Sequence, residues 1–175
     1  MIKKIALALL VIILGILAYA TTRPSTFTLQ RQITIKAPPE KIFAMIDDFH
    51  AWDQWSPWAH MDPAMKVTYS GPPSGVGAAY EWTGNGKVGT GRMEIMQATP
   101  SSRVQIQLDF TAPMAAHNMT VFTLTPRGDS TTVEWAMSGP MPYVSKVMTI
   151  FVSMDKMVGP DFENGLGAMK SVAEK

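Results

Sequence analysis

The side chains able to do acid–base or metal chemistry are few and scattered in this chain. There are three histidines, His50, His60 and His117. Their spacing builds no close metal-ligand set, and no HExxH stretch occurs. His50 falls in a tryptophan-rich segment, His60 follows soon after, and His117 opens a strand pattern. All three read as local hydrogen-bonding or surface residues. Ser56 has neither a base nor a GxSxG setting to make it a nucleophile. A cyclase or dehydratase would need an acid or base facing a cavity beside a bound carbonyl. Asp109 and Glu134 alternate with apolar strand neighbours and are expected to face solvent. Arg31 instead falls on the apolar side of its strand, a candidate for orienting a polar ligand group. The chain has no cysteine, which excludes thiolate zinc sites, disulfides and cysteine nucleophiles. The glycines between Gly84 and Gly91 lack phosphate-loop spacing, and no GKS or GKT follows. No catalytic residue, cofactor or metal site is assigned.

Charge narrows the partners. Two of the 15 basic residues are Lys3 and Lys4, so the rest of the chain carries 13 against 14 acidic residues. That balance holds no basic stripe for a nucleic-acid backbone. The 14 methionines and five tryptophans suit either a pliable pocket lining or ordinary core filling.

The elements that must position these residues begin with an apolar run. Ile5 to Ala20 is 16 residues with Tyr19 as its one polar interruption, behind Lys3 and Lys4. Residues 1–22 read as a signal anchor with the lysines inside and the remainder extracytoplasmic, periplasmic where an outer membrane exists. Ala18-Tyr19-Ala20 offers the alternative of cleavage near Ala20 and secretion. Residues 23–26 read as a linker and 27–175 as one domain.

Phe27, Leu29, Ile33 and Ile35 alternate with polar residues as a strand. Glu40 to Ile46 reads as a helix behind Pro38-Pro39, and Phe49 to Trp55 as a second, which Ser56-Pro57-Trp58 breaks. Strands are expected at 65–70, 78–83, 87–98, 103–110, 118–126 and 131–137. Gly84-Asn85-Gly86 is expected to make a hairpin turn, and Gly89 and Gly91 a bulge or a strong bend. From Pro142 to Glu174, apolar residues recur three and four apart, which predicts a long helix bent or interrupted after Val158 by Pro160, with Gly159 easing the turn. Gly165 and Gly167 would let it approach another element closely. Hairpin-linked strands imply an antiparallel sheet, and one that curls around this helix leaves an apolar pocket between them. The residues expected at that pocket are Arg31, Trp52, Trp55, Trp58, Tyr80, Trp82, Phe110, Trp135, Phe151 and Met154. Trp52, Trp55 and Trp58, three apart, would form either its wall or a plug sealing one end of the core.

The stretch RQITIKAPPEKIFAMIDDFHAWDQWSPW resembles the opening of the START-like (SRPBCC) superfamily, especially its polyketide cyclase/dehydrase branch. The matching positions are Ile35, Ala37, Pro38, Ile42 and Phe43, then Phe49, Trp52, Trp55, Ser56, Pro57 and Trp58. Met154 to Glu174 looks like that branch's closing helix, and the likeness spans roughly residues 27–174. It implies an α+β helix-grip fold: a curved antiparallel sheet around a long C-terminal helix, with two short helices after the first strand. It also implies binding or transport of an apolar small molecule or lipid, or cyclase/dehydratase activity. An accessory protein with a filled core and no small ligand is a third expectation.

Overall fold

The computed structural model describes residues 1–175. Helix α1 spans Ile2–Thr21, strand β1 Thr26–Ile35 and helix α2 Pro39–Ile46. Two 3-10 turns follow at Phe49–Gln54 and Pro57–His60. Six strands come next: β2 Lys66–Ser70, β3 Ala79–Thr83, β4 Thr90–Thr99, β5 Arg103–Ala112, β6 Ala116–Arg127 and β7 Ser130–Pro140. Helices α3 (Tyr143–Phe151) and α4 (Met154–Ala173) close the chain. All seven strands form one antiparallel sheet in the order β1-β7-β6-β5-β4-β3-β2. The sheet wraps α4, as a helix-grip fold does.

Period-two burial in β6 and β7 gives the sheet one apolar face. Ile35, Ile95, Val104, Ile106, Phe122 and Val133 are fully buried there and meet Ile42 and Ile46 of α2 and Leu166 and Met169 of α4 in one core. The register of β4 against β5 shifts at Ile95/Gln97 and at Thr90/Gly91, where a methyl on Gly91 would lie 2.6 Å from Trp82 Cη2.

Two local expectations are corrected. The C-terminal helix is not interrupted at Gly159-Pro160, which lie within α4; it breaks earlier. Val152 is extended, and Ser153 caps a new helix by accepting a hydrogen bond from Lys156 N–H at 3.3 Å. Pro160 is exposed, so its ring and the carbonyl it frees lie on the water side. Gly165 does approach closely, since an added methyl would sit 2.9 Å from Trp135 and 3.0 Å from Pro57, but Gly167 has open space beside it.

The second correction is the β3–β4 connection. It runs from Gly84 to Gly89 and closes with Gly84 N–H donating to Gly89 O at 2.9 Å. The Asp62 carboxylate pins this loop through Asn85 N–H at 2.7 Å, so Asn85-Gly86 is not a tight hairpin turn. The tryptophan segment forms the expected second short helix, of 3-10 type, at Phe49–Gln54, and Pro57 opens a further 3-10 turn after it.

Helix α1 is long and apolar enough to cross a membrane by length and composition. Its side chains are exposed except for Ile16, which is half-buried, and Ala20, which is buried. Its last turns lean on α3, where Tyr143 Oη donates to Leu17 O at 2.8 Å.

A hollow end in the aromatic core

Trp52 and Trp55 are set by the end of α2. The indole N–H of Trp52 donates to Ile46 O and that of Trp55 to Met45 O, each at 2.9 Å. Both bonds satisfy carbonyls that a short helix leaves without intrahelical donors. The rings then form a chain: Trp55 meets Phe122 and Trp135 edge-on, and Trp135 stacks on Phe162 of α4 with centroids 4.1 Å apart. Trp58 closes the group edge-on to Trp135 and Phe162.

Beyond this aromatic floor the space between sheet and helices is empty. A cavity of about 1100 Å³ lies there, at the large end of the range for small-molecule pockets. Leu108 and Phe110 of β5, Met93 of β4, Met137 of β7 and Val158 of α4 supply apolar walls. Exposed residues at the β5–β6 connection (Pro113, Met114), at the end of β7 and just after it (Pro140, Pro142) and on α3 (Met148) rim its mouth.

The residues expected at the pocket divide in two. Trp52, Trp58, Tyr80 and Trp82 border the cavity, as do Phe110, Trp135 and Met154. Arg31, Trp55 and Phe151 do not, and each has a physical reason. Arg31 does point to the inner face, but α4 meets it there: Nη2 pairs with Asp155 and Nε with Glu163, both at 2.7 Å. Those bonds, Glu163 foremost, raise its pKa and tie the helix to β1. Gly159 makes the approach feasible, because a side chain there would strike the guanidinium. Trp55 is 2% exposed within the floor, so it plugs the core as Trp52 and Trp58 wall the cavity. Phe151 ends α3 on the outside, 69% exposed.

Each histidine bonds an aspartate. His50 Nδ1 lies 2.9 Å from Asp48 and the ring stacks on Tyr69. His60 bonds Asp53 O at 3.0 Å and His117 bonds Asp109 at 2.8 Å, both exposed at the cavity rim. The Asp109 carboxyl, bonded to His117 and Gln107, is held below the usual carboxylate range although desolvation opposes this.

Three polar groups at the cavity stood out in no sequence pattern as site residues. Asn118 and Thr120 are buried on the inner face of β6. Asp161 of α4 borders the same space with no ion-pair partner, and desolvation pushes its carboxyl pKa up. Burial likewise drives the Tyr80 hydroxyl to about 12, so it stays neutral. The signal that could have found Asn118 is polarity at an apolar position of an alternating strand, as for Arg31.

Solved structures share this fold. An X-ray structure of CV1439 from Chromobacterium violaceum is 16% identical, with TM-score 0.58 over 87% of this chain and 99% of that one. MLL2253 from Mesorhizobium loti is 20% identical, with TM-score 0.58 over 86% and 99%. XoxI from Bacillus cereus is 16% identical, with TM-score 0.59 over 83% and 94%. At these identities the likeness is one of fold alone. No curated protein matches the sequence. The model of one family, described as polyketide cyclase / dehydrase and lipid transport, matches residues 26–174, and the chain belongs to that family.

Proposed function

We propose that this chain is a membrane-tethered binding or transport module for an apolar small molecule or lipid. The fold and family are consistent with a lipid- or small-molecule-binding module. The observation that carries the reading is the cavity of about 1100 Å³, walled by Trp, Phe, Leu, Met and Val side chains above a fully packed aromatic floor. So large an apolar hollow forgoes contacts that a filled core would make, which occupancy by a ligand restores. That argues against the accessory protein with a filled core.

The tether reading rests on α1 and its neighbour. Helix α3 carries Val144 and Phe151, 61% and 69% exposed, beside the end of α1 and next to the cavity mouth. Held by α1, this side of the domain would face the bilayer, with the domain extracytoplasmic. The test is native mass spectrometry of the purified full chain with organic extraction. A stoichiometric apolar passenger, or saturable uptake of a fluorescent apolar probe by the delipidated protein, is the expected result. A folded protein that takes up no apolar probe overturns the reading.

A second reading, a cyclase/dehydratase-like enzyme, draws on Asp161. A carboxyl at the cavity wall whose pKa is raised by desolvation suits a proton donor. If it acts so, Asp161→Asn abolishes turnover of a polyketide-type substrate while leaving apolar-probe uptake intact.

A further inference from the structure

We propose that the cavity selects an amphipathic ligand whose buried end is polar but uncharged, an alcohol, ketone or carboxamide, with Asn118 and Thr120 as its recognition groups. The inference rests on the ligand-binding reading above and names the ligand class.

Asn118 and Thr120 are 7% and 3% exposed, and both border the cavity. Two apart on β6, they share its inner face. Neither side chain has a hydrogen-bond partner within the protein, nor is either sealed from the cavity as the orphaned indole N–H of Trp135 is. Buried polar groups are ordinarily paired, so two adjacent unpaired ones facing an apolar hollow mark where a ligand's polar atom sits. Their surroundings sharpen this: Leu108 lies opposite Asn118 in the sheet, and Met137 opposite Thr120. The Asn118 amide lies over Gly139, where any side chain would collide with its oxygen. An amide and a hydroxyl together offer donors and acceptors, which a hydroxyl, carbonyl or carboxamide satisfies.

Charge decides against an anion. The titratable groups bordering the cavity are Asp53, His60, Asp62, Lys87, His117 and Asp161, with Tyr69 and Tyr80. Lys87 is the one permanent cation among them, and it is exposed in the β3–β4 loop. Arg31, the other cation on the inner face, is held outside the cavity by Asp155 and Glu163. A carboxylate or phosphate seated at Asn118 would therefore be buried without a counter-ion, which is strongly unfavourable.

The experiment uses the full chain in a fluorinated surfactant, with N-phenyl-1-naphthylamine as the reporter. Dodecanol, dodecanamide, dodecane and ionised dodecanoate are the competitors. Dodecanol and dodecanamide should displace the reporter at concentrations about tenfold below dodecanoate and dodecane, the scale of a buried hydrogen bond to a neutral group. Asn118→Leu should erase most of that preference, and Thr120→Val, nearly isosteric, should reduce it about threefold. If Asn118→Leu fails to fold, Thr120→Val decides. Equal or better displacement by dodecanoate overturns the proposal, as does full preference retained in Thr120→Val or in a folded Asn118→Leu. Absence of reporter uptake by the folded parent is the separate result that removes the ligand-binding reading itself.

Discussion

At one end of the sheet Phe122, Trp135 and Phe162 stack ring on ring; at the other, Leu108, Asn118 and Met137 face open space. The same strands build both ends. β6 runs from Asn118 and Thr120 at the hollow end to Phe122 and Leu124 at the packed end. What differs is the cover. At the packed end α2 and the second half of α4 press on the sheet, and Gly165 lets α4 come within van der Waals distance of Trp135. At the hollow end the first turns of α4 are tied to β1 by the ion pairs of Arg31 with Asp155 and Glu163, and the cavity opens between them, α3 and the sheet. One end thus supplies stability and the other can hold a guest, because a packed core and a binding cavity place opposite demands on the same side chains.

The comparison breaks most visibly at the floor. Phe162→Ala should cost about 3–5 kcal/mol in a denaturant titration, the range for deleting a buried aromatic ring. A loss under about 1 kcal/mol would mean that the stack is not a stabilising floor. Gly165→Val tests the same end by overpacking. Its added atoms meet Trp135 and Pro57, and it should destabilise by about 1–3 kcal/mol in the same titration.

Leu108→Trp probes the hollow end. The larger ring enters empty space beside Met93 and Asn118. Uptake of an apolar probe should be lost while stability changes by less than about 1.5 kcal/mol. A variant that unfolds would show that this end is packed after all.

The smallest effect is electrostatic. The folded-state pKa of Asp161 is raised by desolvation, so protonation is favoured by folding. Its contribution to stability is fully present below the unfolded pKa and fades as pH rises through the raised folded pKa. Asp161→Asn should therefore raise Tm slightly at neutral pH and leave it unchanged in acid. Melting curves in which the variant gains equally at every pH would contradict this.

Much of the packed end is legible in the residues themselves. Alternation through β5, β6 and β7, the Trp52-Trp55-Trp58 spacing and the apolar stripe of the C-terminal segment all point to a curved sheet around a helix. Which side chains reach the cavity is less legible. Phe151 satisfies the helical stripe yet lies outside, because the chain breaks at Val152-Ser153 and α3 turns its end to the surface. Trp55 and Trp58 look equivalent by spacing, but Pro57 starts a new turn between them.

The sequence by itself determined most of the elements, since strand alternation and helical periodicity are set by neighbours only a few residues apart; the break between α3 and α4 was not among them. Tertiary structure alone decided where atoms are missing. Arg31 is neutralised by residues 124 and 132 positions away, and Asn118 is left unpaired opposite Leu108 and Gly139. A hollow is the absence of contacts between elements far apart in the chain, and local patterns carry no record of that absence.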